Sequence, residues 1–323
     1  MSVSVALCTH NGGRFIGAQL RSILQQSSPV DELVISDDDS ADDTLEAARA
    51  VVGAGVPLTV RWLKHRPALG VTRNFECAVG AAQGDLIALS DQDDVWHPDK
   101  IERAVRLFAD EPGALLMFTD ARLVDEAASP LELSLFESLG LSERELGLIE
   151  SGDGLAPFLR RNLATGATVV FRRELLELAL PFPATWVHDE WLAVIAALHG
   201  GVRVLREQTV DYRQHGGNAI GVTEPTLGYK VKRMLQPRGR RNDELAQKFS
   251  ELAARASSLG LAPELVGAVE SKAAFERARA NMPSSRAARI PAIARLSARG
   301  LYSRFASQGR LDILRDLLAP HGS

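Results

Sequence analysis

The segment LIALSDQDDVW, residues 86–96, decides how the chain is read. An apolar run ends in Asp91, Asp93 and Asp94, with no Lys or Arg among them. Residues i and i+2 of an extended chain point to one side. At a strand end, Asp91 and Asp93 can therefore converge on one point. Carboxylates this close repel and lose hydration when partly buried. A hard divalent cation, Mg²⁺ or Mn²⁺, offsets both costs, because it prefers carboxylates, water and phosphate oxygens. The bland alternative is a solvated acidic turn.

Working outward, the N-terminal half alternates. Strands are expected at 3–9, 31–38, 58–65 and 85–94, and helices at 15–26, 41–52, 72–83 and 99–110. Ser40 with Asp43 suggests a capping box, Gly84 a helix end, and Pro98 a helix start. This alternation with near-continuous apolar strands predicts an α/β domain, a mostly parallel central sheet flanked by helices. In such sheets ligands bind beyond the carboxyl ends of the strands. THNGG (9–13), SDDDS (36–40) and SDQDD (90–94) should open toward one crevice. A strand and its exit are expected over 114–125 and a strand running into a glycine turn over 202–219, with a glycine turn, strand and short helix over 164–180 and a helix at 188–201. Residues 126–155 give no clear pattern.

From about residue 224, Ala, Leu and Arg recur at helical spacing, broken at Pro237, Pro263, Pro283 and Pro291. The division is residues 1–223 as the α/β domain and 224–323 as a helical C-terminal extension. The net charge of −4 hides an asymmetry. Residues 1–223 hold 19 Lys and Arg against 32 Asp and Glu; residues 224–323 hold 18 against 9. A basic module on an acidic body suggests an anionic partner or a solvated cationic face. No aromatic stacking platform accompanies the arginines, so nucleic acid is not expected. No stretch approaches the roughly 20 apolar residues that span a bilayer. The N-terminus does not read as a signal peptide. Cys8 and Cys77 make no disulfide framework and read as small buried hydrophobes in a reducing, cytoplasmic compartment.

There is no GxxxxGK[ST] loop and no GxGxxG fingerprint. The acidic clusters point instead to a nucleotide diphosphate held through a metal. The combination CTHNGGRFIGAQLRSILQQS, ELVISDDDSADDT, LGVTRNF, GDLIALSDQDDVWHPDK, HDEW and YRQHGGNAIG resembles the family 2 glycosyltransferases. It is most similar to their bacterial rhamnosyltransferase-like subgroup, over about residues 3–221. The resemblance implies the GT-A fold and inverting transfer of a sugar from a nucleotide diphosphate donor, UDP- or dTDP-linked, with a divalent metal. The acceptor would be a saccharide or a lipid-linked one in surface polysaccharide synthesis, with rhamnose, galactose or glucose donors open. Under it, Cys8, Thr9, His10, Asn11 and Asp37 correspond to the nucleoside pocket. A carboxylate at Asp37 suits the ring N–H of uracil or thymine. Arg73 would lie against the base or diphosphate, and Asp91 would contact ribose or metal. Asp93 would be the principal metal ligand, completed by His215. Asp189 would be the catalytic base, removing the acceptor hydroxyl proton. His188 and Glu190 would orient that base or contact acceptor or sugars, Asp94 would lie near the donor sugar, and Trp191 would either stack on a sugar ring or be a buried helix tryptophan.

Two positions depart from the subgroup. Asp39 stands where glycine is usual, and Glu190 where a bulky aromatic commonly follows the aspartate. If position 39 needs a positive φ, Asp tolerates it better than most residues. The basic helices could serve as a peripheral contact at the inner face of the cell membrane or as a homodimer contact. Two alternatives are a sugar-phosphate nucleotidyltransferase, which would want a glycine- and arginine-rich loop after the first strand, and a non-catalytic nucleotide-sugar-binding scaffold.

Overall fold

A computed structural model describes residues 1–53, 57–215 and 239–319. The chain divides into two compact units, Met1–Gly154 with Leu163–Val222, and Leu155–Asn162 with Thr223–Ser323. In the first unit the alternation is realised as β1 (Val3–Thr9), α1 (Gly13–Leu24), β2 (Glu32–Asp38), α2 (Thr44–Val52), β3 (Thr59–His65), α3 (Val71–Ala81) and β4 (Leu86–Ser90). These strands lie in the order β3-β2-β1-β4 and are all parallel. β1, β2 and β4 are buried along their whole length, as parallel strands covered on both faces must be. Ile16, Leu20 and Ile23 form the buried stripe of α1.

Beyond β4 the sheet becomes mixed. β5 (Val95–Trp96) and α4 (Lys100–Asp110) precede β6 (Leu116–Val124), and β7 (Pro130–Ser134) folds back on β6. Then come α5 (Leu135–Leu139), α6 (Glu143–Glu150) and, in the second unit, α7 (Leu155–Arg160). The first unit resumes with β8 (Val170–Arg172), α8 (Leu175–Ala179), α9 (His188–Leu198) and β9 (Val202–Arg213). β4 pairs antiparallel with β8, β8 with β6, and β9 with β5, while β6 and β9 run parallel. Residues 126–155 thus contain a strand and two helices, each helix opened by a capping box, Ser134 with Glu137 and Ser142 with Glu145. The S-x-x-E spacing was the signal for them.

Several expected punctuation marks act differently. Ser40 does not cap α2, whose N-cap position is Asp43 with no side-chain cap bond. Ser40 Oγ instead accepts from Asn11 N (2.9 Å), tying two strand-end loops together. Gly84 is not the end of α3. It lies where a Cβ would stand 2.6 Å from Ser4 N, so it permits close approach to β1. Pro98 precedes the N-cap Asp99 rather than opening α4. Asp39 has φ 63°, the left-handed conformation that glycine would adopt without strain.

In the second unit, α10 (Gly239–Ser258), α11 (Pro263–Ala280), α12 (Arg286–Ala298), α13 (Leu301–Phe305) and α14 (Leu311–Leu318) follow. Pro263 opens α11 as a first-turn residue. Pro291, expected to break a helix, lies inside α12. The carbonyl it leaves without a donor belongs to Ala287, an exposed residue, so water can satisfy it. Pro237 and residues 216–219 of the expected last strand lie outside the described residues.

Candidate active site

Three adjacent parallel strands end together. The register sets Leu7 against Ile35 and Ser90, and Thr9 against Asp37. The polar clusters that follow therefore share one edge of the sheet. Gln92 locks them: it accepts from Thr9 Oγ1 (2.6 Å) and His10 N (2.9 Å) and donates to the His10 carbonyl (3.0 Å). His10 Nδ1 lies 2.6 Å from the Asp38 carbonyl. Asn11, at φ 50°, accepts from Ala41 N (2.8 Å) through Oδ1. Asp37 is fully buried; its Oδ1 accepts from Ser40 N (3.2 Å), while Oδ2 has no hydrogen-bond partner among the described residues.

The acidic loop after β4 meets the end of β9. Val95 opposes Asp211 and Trp96 opposes Val210, so the antiparallel register carries residues 213–215 alongside 91–94. Arg213 N donates to Asp94 Oδ1 (3.0 Å), and Arg213 Nε to the Asp93 carbonyl (2.8 Å). Two residues on, His215 Nε2 lies 2.8 Å from Asp93 Oδ2. The two residues expected to hold a metal, 122 positions apart, thus face each other. Arg213 binds the backbone of Asp93, so a guanidinium does not take the cation's place at that carboxylate. Phe15 stacks on His215, with ring centroids 4.9 Å apart.

Electrostatics in this pocket are strained toward proton or cation uptake. Burial, then the charges of Asp93 and Asp189, push the Asp91 carboxyl up to about 7. Burial, then Asp93 and Asp91, push Asp94 well above its ordinary value, and its Oδ2 has no hydrogen-bond partner among the described residues. An oxygen-rich donor set with one imidazole suits a hard or borderline divalent ion. No group of three or more His, Cys, Asp or Glu is arranged as a ligand set among the described residues. Asp93 and His215 are the pair on offer.

Asp189 sits in the first turn of α9. Its Oδ2 accepts from Gly166 N (2.9 Å) and its Oδ1 from Glu190 N (2.6 Å). A carboxylate has acceptor capacity beyond these two bonds. Its charge contributes to raising the Asp91 pKa. Gly166 packs closely there: a Cβ would stand 3.1 Å from His188 Nε2. Glu190 is half-buried beside the base.

Of the two readings of Trp191, the structure supports the buried one. It is fully buried, its Nε1 donates to the Ala179 carbonyl (2.8 Å), and it packs on Trp186. No ring face is left for a sugar, because α9 is buried all round. His188 is also inside, stacked on Phe75 with centroids 3.8 Å apart, and burial pushes its pKa down to about 3. A direct sugar contact from this neutral, 4% exposed ring is not what the fold presents. Arg73 lies exposed in the first turn of α3 and pairs with Glu76.

Sequence reasoning passed over Gln92, Arg213 and Lys100. Lys100 is fully buried; its Nζ donates to the Ala167 carbonyl and lies 4.0 Å from the Trp96 ring centroid. Burial pushes its pKa down to about 7 against the opposing pull of Asp94 and Asp91. The P-D-K run after the acidic loop was the available signal. Lys100→Met is expected to cost about 3 kcal/mol of stability, since it leaves buried acids without their nearest internal cation. Denaturant melts of the two proteins measure this, and equal midpoints would refute it.

The family model of glycosyl transferase family 2 matches residues 4–177. An uncharacterized glycosyltransferase of Nostoc sp., alr2836, is 25% identical over 226 residues, 68% of this chain and 66% of that protein. The dTDP-rhamnosyl transferase RfbG of Shigella flexneri is 25% identical, across 70% of this chain and 76% of its own length. In three of the curated relatives the aligned part spans 36% to 66% of the relative's own length. Residues 1–349 of S. aureus TarS, crystallised with UDP-GlcNAc, superpose with a TM-score of 0.55 at 17% identity, covering 98% of this chain and 90% of that one. That likeness is one of fold, the mixed α/β architecture of the GT-A type with a helical C-terminal region.

Proposed function

Because the chain belongs to glycosyl transferase family 2, we propose that it transfers a hexose or deoxyhexose, of rhamnose, galactose or glucose type, with inversion from a UDP- or dTDP-linked donor. The acceptor is a saccharide or a lipid-linked saccharide of a surface polysaccharide, met on the cytoplasmic side of the membrane. The observation that carries this reading is the contact of His215 Nε2 with Asp93 Oδ2 at 2.8 Å, in a pocket whose charge extends to Asp189. Asp93 and His215 would hold a divalent cation, Mn²⁺ or Mg²⁺, and its charge would neutralise the diphosphate as it leaves. Asp37 and the Thr9–Asn11 turn form the nucleoside side of the pocket. Asp189 accepts the acceptor's hydroxyl proton while that oxygen bonds to C1. The C1–O bond to the diphosphate breaks, and the nucleoside diphosphate departs with the electron pair.

The test is a panel of nucleotide sugars with purified protein, with and without Mn²⁺ or Mg²⁺. Metal-dependent binding or slow hydrolysis of one donor is expected. Silence across the panel would remove the reading.

The raised Asp91 sets a pH dependence. Its carboxyl binds a proton in the folded state across the window from the ordinary carboxylate range to about 7, where the unfolded chain does not. Stability without metal therefore falls as pH rises through that window and levels off above it. A cation held by Asp93 disfavours that proton on the neighbouring carboxyl, so its affinity should weaken as pH falls below 7. Melting midpoints with and without Mg²⁺ from pH 5 to pH 8 check this; a metal increment that stays constant with pH contradicts it.

A further inference from the structure

The C-terminal helices sort their charges between inside and outside. From Arg277 to Leu311 the chain has eight arginines and no Asp or Glu. The acids that bracket this stretch are Glu276, Asp312 and Asp316, each 2% exposed or less. All three face inward. Lys272 Nζ donates to Glu276 Oε1 (2.6 Å). Arg279 donates to Asp316 (2.7 Å) and to Glu276 (3.1 Å), and Tyr302 donates to Asp316 (2.7 Å). Arg289 is also buried, donating to the carbonyls of Pro283, Asp316 and Ala319.

What remains outside is cationic. Arg286, Arg295, Arg299, Arg304 and Arg310 are exposed, and none has an ion-pair partner among the described residues. Beside them in sequence stand three large apolar side chains that are also exposed: Ile290 at 55%, Leu311 at 53% and Leu314 at 44%. Arginines with exposed aliphatic groups suit an interface between water and lipid, where apolar groups enter the acyl boundary and cations meet anionic headgroups. Nucleic acid would call for an exposed stacking surface, but Tyr302 and Phe305 are each 1% exposed. No described helix is long and apolar enough to cross a membrane.

We propose that the exposed arginines and aliphatic side chains of α12–α14 form a docking surface for an anionic lipid bilayer. It deepens the reading above, since it rests on a lipid-linked acceptor being the substrate class. Glycosyl transfer is measured separately, so failure of one does not disguise failure of the other.

The experiment is co-sedimentation of the full-length protein with vesicles of phosphatidylcholine alone or mixed with phosphatidylglycerol, at low and high salt. Binding is expected only with the anionic vesicles and should be lost at high salt. The triple variant R286Q/R295Q/R299Q should bind about a hundredfold more weakly with an unchanged melting midpoint, and Leu311→Ser should also weaken binding at low salt. If the triple variant melts early, Arg295→Glu and Leu314→Ser read the same surface singly. The proposal is overturned by no binding at low salt, by equal binding to neutral vesicles, or by undiminished binding of the variants. Tighter binding to a single-stranded oligonucleotide, or self-association that the triple variant abolishes, also overturns it. Donor hydrolysis without vesicles is followed in each variant; a loss there bears on glycosyl transfer and leaves the lipid result standing.

Discussion

Asp189→Asn should lower kcat by about 10²–10⁴-fold, the usual worth of a general base, while donor affinity stays within a few-fold. The side chain is isosteric, and its amide oxygen can still accept from Gly166 N, which now holds Oδ2 at 2.9 Å. What disappears is the basic lone pair and the negative charge. That charge also helps push the Asp91 carboxyl up, so its removal should draw the Asp91 pKa down. The variant should therefore bind metal and donor at a slightly lower pH than the native protein. Single-turnover kinetics beside equilibrium donor titration separate the two effects. Near-native turnover would exclude Asp189 as the base; a parallel loss of donor binding would give it a structural part instead.

Asp93→Ala is expected to abolish the dependence of donor binding on Mn²⁺ and to weaken donor affinity by about a hundredfold or more. Losing even a partner of a metal ligand costs about 10–100-fold, and here a ligand itself is lost. Repulsion makes the effect on the bare protein different in sign. Asp93 raises the pKa of both Asp91 and Asp94, so its deletion relieves the cluster. Against that stands the lost contact with His215. The melting midpoint without metal should consequently hold within a few degrees, while the increment on adding Mn²⁺ vanishes. Calorimetric titration of donor with and without metal reads the first effect, and thermal melts the second. A donor affinity that still responds to Mn²⁺ would move the ion away from Asp93.

Much of this was legible in the one-dimensional order of residues. Burial on both faces demands apolar runs, so β1, β2 and β4 declared themselves, and their order relative to α1–α3 gave the parallel half of the sheet. The departure at Asp39, where glycine is usual, raised the question of a positive φ, and the residue adopts one. Polar clusters at three strand ends, two of them acidic, located the crevice, because parallel strands must end on one side. Those are properties of neighbours along the chain, where periodicity and like-charge repulsion act.

Tertiary structure alone decided what meets across long separations and which side chains lose water. The resemblance carried by YRQHGGN assigned His215 to the site of Asp93, but the register of β5 on β9 is what sets the two side chains 2.8 Å apart. A charged letter in the sequence carries no record of its burial. Lys100 is hidden beneath the acidic loop, and Glu276, Asp312 and Asp316 turn inward while five arginines stay outside. Trp191 followed the same rule: adjacency to Asp189 suggested a sugar platform, but a helix enclosed on every side gave its ring to the core.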